Sequence, residues 1–248
     1  MDLGIDGRVA LVCGASKGLG RAIAASLVAE GAKVAIASRS RERIDAAAAE
    51  IGATGFVWDS SDVESAPGLI AEVEASLGPL DILVSNTGGP PMGEPLGFTG
   101  EQWEAAYRDL VLSPVALLQA VVPAMRSRGF GRVVNVSSTS VREPIGYLVL
   151  SNAHRSALLA TYKTVSREAA ADGVTINSVL PGRIATDRLT DLMGDSEEAR
   201  AGASADIPAG RLGEPAEFAA AVTFLCSAPA AYITGAALAV DGGLLHAT

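Results

Sequence analysis

The residues best suited to chemistry begin at Gly14. The spacing Gly14-x-x-x-Gly18-x-Gly20, with Ser16, Lys17 and Leu19 inside it, follows the apolar run 9–12 and precedes an alanine-rich segment, 21–30. Backbone without β-carbons approaches a ligand closely, and the first N–H groups of a helix carry partial positive charge, so such a turn suits a phosphate. An ordinary strand-to-helix turn can also use glycine. Here, strand and helix flank the motif as a dinucleotide fingerprint requires, although the spacing is not the commonest G-x-G-x-x-G.

A second group of residues stands where a dinucleotide's adenosine would end. An acidic side chain after the second strand would bind a ribose 2'-hydroxyl; this chain has Ser38 and Arg39 there. With Lys17 they supply two cations and no carboxylate, which favours NADP(H) over NAD(H). The alternative for Lys17 and Arg39 is solvated surface charge. Asp59 and Ser60, after the third strand, are candidates for the adenine end, and a turn-closing aspartate is the competing reading of Asp59.

These groups need a scaffold, and the periodicity supplies one. Short apolar runs at 9–12, 33–38, 55–58, 81–85, 132–137, 174–179 and 236–240 read as strands. Helical patterns at 21–30, 41–51, 63–77, 101–127, 148–171 and 214–227 alternate with them, and Pro114 and Pro123 should kink or divide the fourth. The pattern predicts an α/β fold: a doubly wound, mainly parallel sheet of about seven strands with helices on both faces. No linker-like run divides residues 1–248, so one domain is expected, with ligands at the carboxyl ends of the strands. The polar segment 187–211 is expected to be irregular, a mobile lid over an apolar cleft lined by Leu189, Leu192, Met193 and Ile207 with Pro90, Pro91 and Met92.

Composition excludes several classes. A formal net charge of -9 and a pI near 4.8 argue against a nucleic-acid or anionic-membrane surface, so an anionic cofactor would need a local basic pocket. No run approaches the roughly 20 apolar residues that span a bilayer, and the first residues lack the basic and apolar regions of a signal peptide, so a cytoplasmic location is expected. Cys13 and Cys226 form neither a disulfide framework nor a zinc pattern and read as buried small hydrophobes. No metal site is expected.

Over nearly its whole length the chain resembles the short-chain dehydrogenase/reductase family, in the branch near the 3-oxoacyl carrier-protein reductases. The resemblance rests on the glycine turn, Asp59, Ser85-Asn86-Thr87-Gly88, Ser138, Pro181-Gly182-x-x-x-Thr186, Arg211-Leu212-Gly213-Glu214-Pro215, Thr234-Gly235 and Val240-Asp241-Gly242-Gly243. It implies one Rossmann-type domain, a nicotinamide nucleotide, a small-molecule substrate, and a homotetramer or homodimer built through long helices and the last strand. It further implies that Gly14 to Gly20 surround the phosphates, that Asn86 and Gly88 lie along the cofactor, and that Pro181, Gly182, Ile184 and Thr186 face the nicotinamide. Two departures are mild: Cys13 stands where the family usually has threonine, and Ser85-Asn86-Thr87-Gly88 replaces Asn-Asn-Ala-Gly.

The resemblance fails where the family does its chemistry. The family uses a serine, a tyrosine thirteen positions later and a lysine four beyond that. Here Ser138 is followed by Ser151 and Arg155, and the family's helical asparagine, counted from Trp103, falls on Leu110. A phenol whose pKa of about 10 is lowered by a cation can protonate a carbonyl oxygen, whereas serine is far less acidic. Arg155 can still hydrogen-bond a ribose and offer charge, but a guanidinium does not shuttle protons. Tyr147, four residues before Ser151, is a substitute acid if the helix reaches back that far, and otherwise a loop or interface aromatic. His154 titrates usefully but should point to another face. Ser138 either binds a substrate oxygen or caps a turn. Two functions follow: an NADP(H)-dependent oxidoreductase acting on a small carbonyl or alcohol with non-standard acid-base residues Ser138, Ser151, Arg155 and Tyr147, or a catalytically inactive NADP-binding sensor or assembly protein.

Overall fold

Alternation along the apolar runs explains the layers. In strand β1 (Val9–Cys13), Ala10 and Val12 turn to one face and Val9, Leu11 and Cys13 to the other, and all five are buried. A strand apolar on both faces needs cover on both, the condition of a parallel sheet held between helices. The computed structural model, which describes residues 1–194 and 196–247, meets that condition.

After β1 come α1 (Gly18–Ala29), β2 (Lys33–Ser38), α2 (Arg41–Ile51), β3 (Thr54–Val57), α3 (Ala66–Leu77) and β4 (Ile82–Ser85). The second half runs α4 (Gly100–Tyr107), α5 (Ser113–Arg128), β5 (Gly131–Val136), α6 (Val149–Ala169), β6 (Val174–Pro181), α7 (Asp187–Met193), α8 (Glu197–Ser204), α9 (Pro215–Leu225) and β7 (Ala237–Val240). All paired strands are parallel, in the order β3-β2-β1-β4-β5-β6-β7. The order reverses between β1 and β4, which opens a crevice beyond their carboxyl ends.

Helices α1, α2 and α9 cover the face carrying Ala10, Val12, Ile36 and Val84, while α3, α5 and α6 cover the face carrying Leu11, Leu83, Val133 and Ile176. Phe218 of α9 is fully buried in the first layer. Its truncation to alanine would cost about 3–5 kcal/mol. Cys13 and Cys226 are free and buried, and burial pushes both thiols up to about 12, so neither is a nucleophile near neutral pH.

Two expectations need correction, that Pro123 would kink or divide the helix over 101–127, which breaks at Pro114 alone, and that the segment 187–211 would be irregular. The helix expected over 101–127 is divided by a π turn, Arg108–Leu112, in which the N–H of Ser113 bonds the carbonyl of Arg108 five residues back. Pro114 has no N–H to give the carbonyl of Leu110, so the normal four-residue bond cannot form there, whereas Pro123 lies inside α5 without ending it. The run Gly100–Arg128 is, by length and composition, apolar enough to cross a membrane, but half of its most apolar window is buried, with α5 packed on α3 and the sheet. The segment expected to be irregular is largely helical, as α7 and α8. Ser196 caps α8 by accepting from the N–H of Ala199, and Arg183 donates to the carbonyl of Ala203 at 2.6 Å, which fastens the segment to the end of β6.

Candidate active site

The glycine turn links β1 to α1 under tight constraint. Gly14 and Gly18 both hold φ of 59°, a left-handed conformation in which side chains are rare. A methyl on Gly20 would run into the carbonyl of Gly14, so the helix starts this close to the strand only with glycine there. Lys17 occupies the N-cap of α1, and no side chain caps the helix. The N–H groups opening the helix are thus left to a ligand, and their partial positive charge fits a pyrophosphate.

Asn86 supports the turn from the neighbouring strand end. Its Nδ2 donates to the carbonyls of Cys13 and Gly14 at 3.3 and 3.1 Å, so its amide hydrogens hold protein rather than cofactor. A cleft of about 740 Å³ runs from this turn across the carboxyl ends of the sheet. Ser16, Lys17, Gly18 and Leu19 line it with Ser38, Arg39 and Ser60 toward the adenosine end. Gly88, Leu110, Ser138, Ser151 and Arg155 line it toward the other end with Pro181, Gly182, Ile184 and Thr186. Most of the residues singled out from sequence therefore meet in one cavity.

Several do not. Asp59 does not line the cleft: its Oδ1 accepts from the N–H and Oγ of Ser61 at 3.0 and 2.9 Å, closing a turn. Gly20 packs the glycine turn rather than facing the cavity. Tyr147 lies in a 3-10 turn, 49 % exposed and outside the cleft lining, because α6 begins only at Val149 and the four-residue spacing to Ser151 crosses non-helical backbone. Met92 and Ile207 also lie off the cleft, Ile207 packing beneath Gly242. Leu189, Pro90 and Pro91 line it as expected, and the side chains of Leu192 and Met193 lie outside the described residues. His154 turns away, its Nδ1 2.7 Å from the carbonyl of Leu150 and its ring 5.4 Å from that of Trp103.

Among the lining residues that sequence reasoning missed are Arg43, Trp58, Asp109 and Arg188. Asp109 sits on the π turn, and burial, reinforced by Asp59 and opposed by Arg39, holds its carboxyl above the usual carboxylate range. Its position beside Leu110 was the available signal. At the adenosine end, Ser38 keeps a buried hydroxyl without a partner among the described residues, beside Arg39 and Arg43. Lys17 is joined to Asp187 of α7 at 3.1 Å, an exposed pair that ties the glycine turn to the segment above it.

At the opposite end the central group is Arg155, 8 % exposed. Its Nε donates to Ser151 Oγ at 3.2 Å, Nη1 to the carbonyl of Val136 at 3.0 Å and Nη2 to that of Gly88 at 3.2 Å. Burial pushes its pKa down to about 10, with repulsion from Arg188 adding to the shift. Ser151, 6 % exposed, accepts from Arg155 and keeps its own hydroxyl hydrogen for another acceptor. Ser138 Oγ accepts from the N–H of Ser140 at 3.1 Å and likewise retains a hydrogen to donate. Leu110, 2 % exposed, offers the cleft only hydrocarbon.

Residues 14–245, which include both ends of this cleft, match the family described as enoyl-(acyl carrier protein) reductase. The chain is 37 % identical over 244 residues to 3-oxoacyl-(acyl-carrier-protein) reductase FabG of Escherichia coli (strain K12), covering 98 % of this chain and 99 % of that protein. The chain belongs to the short-chain dehydrogenase/reductase family. Among solved structures, L-sorbose reductase of Gluconobacter frateurii, complexed with NADPH and L-sorbose, superposes with a TM-score of 0.93 at 31 % identity, with 100 % of both chains covered. A short-chain oxidoreductase of Pseudomonas aeruginosa PAO1, described as containing an atypical catalytic center, superposes with a TM-score of 0.92 at 30 % identity, covering 99 % of this chain and 100 % of that one. As a short-chain dehydrogenase/reductase, the protein is an NAD(P)-dependent oxidoreductase with a single Rossmann-like domain. The uncapped start of α1 and the unpartnered Ser38 hydroxyl fit such a dinucleotide.

Proposed function

We propose that the protein is an NADP(H)-dependent oxidoreductase that interconverts a small carbonyl compound and its alcohol without a tyrosine acid. The observation that carries this reading is the continuity of one cleft from the uncapped α1 terminus, past Ser38 and Arg39, to the hydroxyls of Ser138 and Ser151. Lys17, Arg39 and Arg43 at the adenosine end supply positive charge for a 2'-phosphate. Asp187 competes for Lys17, so Arg39 and Arg43 carry most of that preference.

A bound nicotinamide supplies or accepts the hydride. In reduction the substrate's C=O electron pair moves to oxygen as hydride reaches carbon. Ser138 and Ser151 donate hydrogen bonds to that oxygen, and Arg155, by donating to Ser151 Oγ, polarises the Ser151 hydroxyl and stabilises the developing negative charge. Water entering the cleft supplies the proton, since Leu110 offers no relay and Tyr147 stands outside. Pro181, Gly182, Ile184 and Thr186 would bound the nicotinamide, and α7, whose Asp187, Arg188, Leu189 and Asp191 line the cleft, would cover it. Tyr107, Tyr147 and Leu238 are partly exposed at the end of α4, in the turn before α6 and on the edge strand, where a homodimer or homotetramer would cover them.

The second reading, an NADP-binding sensor or assembly protein without turnover, draws on Arg155, three of whose N–H groups are already held by Ser151, Val136 and Gly88. The test is paired. NADPH should bind more tightly than NADH, and equal affinities would remove the NADP assignment. NADPH oxidation across ketones, quinones and imines should reveal a substrate; saturable NADPH binding with no turnover on any compound would favour the second reading.

A further inference from the structure

We propose that Arg155 and Arg188 form a carboxylate site at the substrate end of the cleft, so that the substrate is a small carbonyl compound that also bears a carboxylate. This rests on the oxidoreductase reading above and gives it a substrate class. Both guanidinium groups line the cleft and grip one loop: Arg155 Nη2 donates to the carbonyl of Gly88 at 3.2 Å, and Arg188 Nη2 donates to that of Pro90 at 3.2 Å. Arg188 reaches this loop from α7. A methyl on the intervening Gly89 would stand 2.7 Å from Arg188 Nη2, so the guanidinium lies there because that residue has no side chain.

Two cations held this close repel one another. No carboxylate of the described residues lies within 4.0 Å of either guanidinium. The acids that line this part of the cleft are Asp187, engaged by Lys17 at 3.1 Å, and Asp191, one turn along α7. Arg155 is buried and Arg188 is exposed on α7, so the cost of an uncompensated buried cation falls on Arg155, and an arriving anion removes it. Arg155 retains two N–H donors beyond its three partners, and Arg188 retains most of its five. Guanidinium geometry matches the two oxygens of a carboxylate. The remaining wall, Pro90, Pro91, Leu148 and Leu189, is apolar and would pack a short carbon chain.

The same donors would suit a cofactor pyrophosphate, and the experiment separates the two anions. Pyruvate, acetoacetate and levulinate, each with its methyl ester, are titrated by calorimetry into protein saturated with NADP⁺, and NADPH affinity is measured for wild type and Arg188→Gln. An acid should bind at least about tenfold more tightly than its ester, the scale of one charge-assisted hydrogen bond, and the preference should fall below about twofold in Arg188→Gln. Equal binding of acids and esters, no acid binding, or a preference untouched by Arg188→Gln overturns the proposal. Weaker NADPH binding in Arg188→Gln with an unchanged acid-to-ester ratio assigns the guanidinium to the cofactor and also overturns it. If wild type fails to bind NADPH, the oxidoreductase reading falls, and the same acid and ester titration on the unliganded protein still decides the carboxylate site.

Discussion

The two ends of the cleft are built on different physical terms. At the glycine turn the groups open to a ligand are backbone: the opening N–H groups of α1, which no side chain caps, shaped by φ of 59° at Gly14 and Gly18 and held by Asn86. At the far end the groups open to a ligand are side chains, Ser138, Ser151, Arg155 and Arg188, on three separate segments, the turn after β5, α6 and α7. A backbone cradle tolerates little change in the residues that shape it, because bond geometry fixes the donors. Side-chain chemistry can change while the helix beneath persists, as Ser151 and Arg155 one turn apart on α6 illustrate. Binding and turnover should therefore be separable in this molecule.

The largest effect tests the cradle. Gly14→Val would place a β-branched side chain at positive φ with its β-carbon about 2.6 Å from the carbonyl of Asn86. NADPH affinity should fall by more than about 100-fold by fluorescence titration, with circular dichroism to confirm that the fold remains. Retained affinity would mean that the turn does not hold the phosphates. Next, Arg155→Ala removes the group that polarises Ser151. Turnover at saturating NADPH should fall by about 100-fold, the scale of losing one preorganised donor, while NADPH affinity changes by less than about tenfold. Equal losses in both would erase the distinction between the two ends. The smallest effect is at the adenosine end: Arg39→Ala should weaken NADPH by about tenfold, leave NADH unchanged and leave the rate at saturation intact, measured by paired titrations and initial rates.

The legible parts of this molecule were the local ones. Gly14 to Gly20 could be read because a turn, a strand and a helix start are consecutive in sequence, and Ser151 with Arg155 because a four-residue spacing on a helix fixes their neighbourhood. Tyr147 misled because Leu148, with φ of -116° and ψ of 32°, breaks the helix that the spacing assumed. Asp59 misled because Ser61, two residues on, donates to its carboxylate and turns it into a local bond. Asp109 and Arg188 were harder to read for a different reason: one, signalled only by its place beside Leu110, reaches the cleft through a π turn that Pro114 induces, the other by crossing over Gly89 from the short helix α7. The helical character of residues 187–211 was hidden by their polarity, although Ser196 carries a cap signal followed by two glutamates.

The claim that reduction proceeds without a titrating acid in the cleft is tested most directly by the pH dependence of NADPH oxidation at saturating cofactor and substrate. Arg155 acts as a cation, and burial lowers its pKa to about 10, so the active form is lost as pH rises through that value. The rate should be flat between about pH 6 and about pH 9 and fall above about pH 10. A unit-slope loss centred below about pH 9 would reveal a side-chain acid and contradict the account, as would bound NADPH that no carbonyl compound can oxidise.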